Sequence, residues 1–188
     1  MVPTGGLTFK VFWWRITMTH MVSYFVAGIL SWKFNNISET YDTYMMSAVS
    51  KPLNSPWIAS ATTFQIITGM LWSSVLWPFK EVILGKNGWL KLWLLLVGLA
   101  IIGTEVPTSG SIEGVIYLKI PIAEHLKSLP EVLLQTLICS YLLFAWYARP
   151  KKLWNIIAII FLVFFVLMSL AVLLSSIQND VTYWERIL

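Results

Sequence analysis

Residues 153–177 read LWNIIAIIFLVFFVLMSLAVLLSSI, apolar on every helical face and without one charged side chain. The middle of this run, 156–174, approaches the roughly 20 residues that an α-helix needs to cross a hydrocarbon core of about 30 Å. Arg149-Pro150-Lys151-Lys152 closes the segment before it, and Gln178-Asn179-Asp180 ends it. The rest of the chain agrees with a membrane setting. It is 57% hydrophobic and 12% charged, with a mean hydropathy of +0.73, too apolar for an ordinary soluble domain of 188 residues. In lipid a backbone must satisfy its own hydrogen bonds, and nothing here alternates with the period of two that a barrel's ~10-residue strands require. The expectation is an all-α, polytopic membrane helical bundle of about five transmembrane helices with a structured extracytoplasmic loop.

Working outward from 153–177, four more spans are expected, at 12–32, 56–77, 89–103 and 130–147, all within one membrane-embedded domain covering 1–188. The first follows basic residues, as a secretory signal does. It runs into Leu30-Ser31-Trp32-Lys33 without a small-x-small cleavage site, so it reads as a retained span. Pro56 suits the first turn of the second span and Pro78 helps to close it, and Gly85, Asn87 and Gly88 supply the turn to the third. The single cysteine, Cys139, lies in an apolar run and excludes a disulfide within the chain.

Charge then orients the bundle. With the N-terminus cytoplasmic, the inner segments hold Lys10, Arg15, Lys80, Lys86, Lys91, Arg149, Lys151 and Lys152, against Glu81 as the one acid. The outer segments hold Lys33, Lys51, Lys119, Lys127 and Arg186 with all the other acids, so the positive-inside rule places the C-terminus outside. Tryptophan adds a second signal, because indoles collect at bilayer interfaces. Trp13, Trp14, Trp77, Trp89, Trp93, Trp146 and Trp154 fall at inner ends, and Trp32 and Trp57 at outer ends. The basic residues thus explain themselves as span flanks and give no reason to expect nucleic acid as a partner.

Polar side chains inside spans are few. His20, Tyr24, Ala27 and Ser31 share a face of the first span, and Ala61, Gln65, Gly69 and Ser73 a face of the second. Glu131, Gln135 and Cys139 line up on the fourth, with Thr136 and Ser140 beside them. These three faces are expected to meet. Two readings of the seam stand: helix packing through small residues and hydrogen bonds, or a pocket or pathway in which His20, Gln65 and Gln135 bind a ligand beneath Glu131. His20 is open to packing, proton transfer or single ligation of a cofactor such as haem, although the sequence requires no cofactor.

The external cap, 104–130, contains Gly110, Gly114, Pro107, Pro121, Pro130 and several acids. Residues 115–120 read as a short extended piece and 121–129 as an amphipathic turn at the interface, with Glu124, His125 and Lys127 toward water. In a lid reading Glu113 points down to the seam. Glu105, Glu113 and Glu131 with a histidine suit acid–base work, but no spacing of the H-E-x-x-H kind is present and no metal is expected; His125 and Glu124 are weak metal candidates.

Three functions are therefore carried forward. The first is a non-catalytic subunit or binding component of a membrane complex, with lipid, other membrane subunits or a second copy of the chain as partners. The second is a small transporter or channel with a polar intramembrane pathway, and the third a membrane-embedded enzyme that uses the outer carboxylates on a lipid-like substrate.

Overall fold

The computed structural model describes residues 6–34, 51, 55–103 and 108–179, and no strand occurs among them. Helix α1 is Phe9–Phe34, and it starts three residues after Gly6, which holds φ +85°. Helix α2, Pro56–Ala59, begins with proline at its first position, and the Ser55 side chain caps it by accepting from the Trp57 amide. After a break at Ser60 comes α3, Ala61–Leu76, then a 3₁₀ turn at Trp77–Phe79 forced by Pro78, and α4, Lys80–Leu84. Asn87, left-handed at φ 56°, leads into α5, Gly88–Ile101. A single-turn helix α6, Ile112–Tyr117, precedes two long ones: α7, Ile122–Ala148, and α8, Lys152–Asn179.

Helix α1 is the central post. It packs against α3 on one side and α7 on the other; α5 lies on α7, while α8 leans on α2, α3 and the edge of α1. One apolar cluster joins Phe12 and Ile16 of α1 to Leu76, Ile83, Leu84, Leu92, Leu143 and Tyr147. Phe9 and Phe12 meet the Trp77 ring edge-on, at 5.4 and 5.3 Å. A second cluster joins Met18 and Met21 to Trp146, Ala158 and Phe165. Thr63 of α3 donates to the Phe165 carbonyl at 3.1 Å, so the Ser169 hydroxyl, 2.7 Å away, donates to Thr63 and ties α8 in place.

Helices α1 and α3 come close together at Gly69. A β-carbon there would stand 2.7 Å from Thr17 Cα and 3.1 Å from Thr17 Cβ, so only glycine permits α1 and α3 this spacing. The Ser73 hydroxyl, one turn on, returns its proton to the Gly69 carbonyl at 2.6 Å and remains near the Trp13 carbonyl at 3.4 Å.

Among the described residues two helices, α7 and α8, are long and apolar enough to cross a membrane, and α5 is a shorter apolar helix. Helix α1 has the length, 26 residues, but is diluted by Arg15, Thr17, Thr19, His20 and Ser23. The expected 56–77 span is divided at Ser60. On α8, Ala158, Phe165 and Ser169 form a buried stripe, and Ile157, Ile160, Val163, Phe164, Leu167 and Leu174 stand exposed.

The cap differs from its expected form. Val115, Ile116 and Tyr117 belong to helix α6 rather than to an extended piece, because Ser111 caps its start through the Gly114 amide at 2.9 Å. The turn expected at 121–129 is the first part of α7, which begins at Ile122 and not at Pro130. Pro130 lacks an N–H and so forfeits one ladder bond to Leu126, but Pro121 already provides the helix entry and a long apolar helix tolerates the gap.

Gly69→Ala is expected to destabilise the protein by the overpacking cost of about 1–3 kcal/mol. Gly98→Ala, where nothing lies within 4 Å, is the control and should be neutral or slightly stabilising. Thermal melts of the two purified proteins in detergent decide it; equal midpoints would refute the Gly69 contact.

Candidate functional site

Short hydroxyl side chains on these helices bond back to their own backbone. Thr19 donates to the Arg15 carbonyl at 2.8 Å, Ser23 to His20 at 2.9 Å, Thr136 to Val132 at 2.7 Å and Ser140 to Thr136 at 2.7 Å. This spends a hydroxyl's proton without any tertiary partner. Thr17 and Ser60 are exceptions, with buried hydroxyls that have no partner. Histidine and glutamine are too long for this local bond and depend on what the fold brings to them.

His20 and Gln65 meet across the α1–α3 contact at 3.0 Å, between His20 Nε2 and Gln65 Oε1. The other end of the amide, Gln65 Nε2, lies 3.5 Å from the Ala61 carbonyl, which can only accept. That orients the amide with Oε1 toward the ring, so His20 donates from Nε2. Nδ1 has no hydrogen-bond partner among the described residues, and in the neutral ring it is an acceptor.

Beside His20 opens a cavity of about 480 Å³ between α1, α3, α5 and α7. Its walls are mostly apolar: Trp72 and Leu76 from α3, Leu92, Leu96, Leu99 and Ala100 from α5, Val132 and Leu143 from α7. His20, Gln135, Thr136 and Cys139 supply the polar part. Gln135 makes no hydrogen bond with another described residue, so its amide is available for both donation and acceptance. Cys139, buried, rests its Sγ 4.0 Å from the Thr19 hydroxyl. No carboxylate, lysine or arginine lines the space.

The three expected faces therefore meet only in part. Gln65 reaches His20, and Gln135 shares the cavity with it. Helix α1 packs against both α3 and α7, and the Thr19 hydroxyl meets Cys139 of α7, but Gln65 does not line the cavity. Tyr24 is half-buried one turn above His20, and Glu131 is half-buried one turn above Gln135, outside the cavity lining. Glu113 is half-buried in the first turn of α6 and does not line the cavity either. Glu105 lies outside the described residues.

In the cap, His125 is buried rather than turned to water. Its Nδ1 accepts from the Gly110 amide at 3.1 Å, and Gly110 holds φ +87° with Ser128 Oγ 2.5 Å from where a β-carbon would be. Glu124 forms an ion pair with Lys127 at 2.6 Å. Of the two weak metal candidates, His125 thus holds the cap to α7, and Glu124 is engaged in an ion pair within α7. Among the described residues, no three His, Cys, Asp or Glu side chains come together as a metal site.

Sequence reasoning missed the apolar wall that α5 and Trp72 contribute. Leucine and alanine on an apolar helix carry no mark of a cavity, and only the spacing of four helices reveals one. Compared with known proteins, the chain matches no family model, no curated sequence and no solved structure.

If the His20–Gln65 bond joins α1 to α3, a double-mutant cycle with His20→Leu and Gln65→Leu should return a coupling of about 0.6 kcal/mol, reaching about 1.7 at most. Reversible denaturation in mixed micelles provides the measurement. Strict additivity would mean that the two side chains do not interact.

Proposed function

We propose that this chain is an integral membrane protein of five spans, with a cytoplasmic N-terminus, that acts as a non-catalytic binding component. Its ligand is a neutral, elongated amphiphile held in the cavity between α1, α3, α5 and α7. The observation that carries the reading is the cavity itself: about 480 Å³ of mostly apolar wall with two unspent polar groups, His20 Nδ1 and the Gln135 amide. Binding sites for small molecules have this composition and fall in the range of about 300–1,000 Å³. A hydroxyl or carbonyl on one end of the ligand finds an acceptor in His20 and both functions in Gln135. The absence of fixed charge in the lining suits a neutral ligand better than an ion.

Membrane embedding is supported by α7 and α8, by the exposed apolar face of α8, and by the charge and tryptophan distribution. The break at Ser60 is compatible with a spanning segment, since α2 and α3 continue one another from Pro56 to Leu76. In the same reading the cap, pinned by His125 and Gly110, covers the outer side.

Ligand and topology are tested separately. Ala100→Phe places a ring in the cavity, and solvent extracts of purified protein analysed by mass spectrometry should lose the neutral lipid or quinone-like molecule that the wild type retains. A wild type without such a molecule, or a variant with the same amount, would end the binding reading. For topology, cysteines at Lys51 and Asn87 in a Cys139→Ser background should react with an impermeant reagent from opposite sides; labelling from one side defeats the five-span arrangement.

A further inference from the structure

At the opposite end of the bundle from the cap, Arg15 stands out. Its guanidinium is half-buried, lies 4.3 Å over the Tyr147 ring and 5.6 Å from the centre of the Trp146 ring, and has no ion pair or hydrogen bond with any described residue. Stacking on an aromatic ring occupies the face of a guanidinium and leaves its in-plane N–H groups unspent. The two rings add to the surplus. Trp146 Nε1 and the Tyr147 hydroxyl are both buried and both without a partner, and the indole can only donate. The guanidinium and the polar atoms of the two rings it lies against thus all lack a hydrogen-bond partner among the described residues. Buried donors left in this way cost free energy unless something supplies oxygens.

The surroundings specify the oxygens. Glu81, the acid that charge bias assigns to this end, is exposed on α4 and pairs with nothing described. Arg149 and Lys151, in the connection after α7, and Lys152, the first residue of α8, are all exposed and add positive potential. Arg15 lies about 9 Å along α1 from its first residue at 1.5 Å per residue, and Trp146, Tyr147 and Trp154 occupy the adjoining ends of α7 and α8. The indoles of Trp146 and Trp154 stack at 5.9 Å, and Trp14 donates to Asn155 at 3.1 Å, a setting suited to the depth of lipid headgroups.

We propose that Arg15, Trp146 and Tyr147 form a binding site for a phosphate group, that of an anionic phospholipid of the cytoplasmic leaflet. The guanidinium supplies a two-pronged contact to phosphate oxygens, and the hydroxyl and indole N–H complete it after a small shift of the rings. The lipid source rests on the membrane embedding proposed above; the phosphate chemistry rests on the donors alone, and free inorganic phosphate is the alternative source.

The full chain in detergent is titrated with phosphatidylglycerol, phosphatidylcholine or inorganic phosphate and read by native mass spectrometry. The anionic lipid should bind in preference to the zwitterionic one. Arg15→Gln should weaken it about tenfold, and Arg15→Lys less, because lysine keeps the charge but not the fork. Tyr147→Phe, which preserves the stacked ring, should weaken binding by a few fold even if Arg15→Gln folds poorly. Equal binding of the two lipids, or an unchanged preference in both Arg15→Gln and Tyr147→Phe, overturns the site. Arg15-dependent binding of inorganic phosphate as strong as that of lipid overturns the lipid assignment. Resistance of the wild type to alkaline carbonate extraction scores embedding on its own, so a failure of the site and a failure of the membrane reading give different results.

Discussion

The contact between Gly69 and the backbone at Thr17 sets the geometry on which the other features depend. Two helices with ordinary side chains at their crossing keep 8–10 Å between axes; removing the β-carbon lets α3 lie against α1 itself. The approach brings His20 within hydrogen-bond distance of Gln65 and sets Ser73 near the Trp13 carbonyl. Because α1 also carries α7 on its other side, the spacing reaches the far wall, and the cavity is what remains between α3, α1, α7 and α5.

Polar side chains in the bundle divide by reach. Thr19, Ser23, Ser73, Thr136 and Ser140 close on their own helix and cost the fold little. Longer groups require something from outside their helix. His20 and Gln65 satisfy each other, whereas Gln135, His20 Nδ1 and the Arg15 guanidinium are left over. Those remainders occur in two places with different chemistry: a neutral pair within a mostly apolar cavity, and a cation with neighbouring donors near the basic end. Embedded in a bilayer, as proposed, the two would face different parts of the lipid, the acyl region and the headgroups.

The cap follows the same logic of enforced partners. Gly110 takes a conformation that other residues resist, and its amide is thereby aimed at His125 Nδ1. Ser111 then starts α6, and Ser128 donates to the His125 carbonyl. A histidine that looks like surface on a polar loop becomes the anchor that joins the loop to α7. Its Nε2 is buried without a partner.

Composition and spacing alone determined that the chain is helical and apolar, and where most helices run. Residues 12–32, 89–103 and 153–177 correspond to α1, α5 and α8 within a few positions, because hydrophobic run length is a local property. That His20 and Gln65 lie on the polar faces of their helices was also legible, since three- and four-residue spacing places each on a defined face; that they bond to each other was not. Pro130 misled, because proline's local preference for the first turn of a helix gave way to an entry already made at Pro121, and Pro130 forfeits only one ladder bond inside α7. Tertiary structure alone decided the rest. It set Gln65 on His20 but outside the cavity that His20 shares with Gln135, and it turned featureless leucines of α5 into a cavity wall. It also left Arg15 on two aromatic rings with no acceptor. A one-dimensional pattern records which face a residue occupies, but not which neighbour arrives there or what space remains between them.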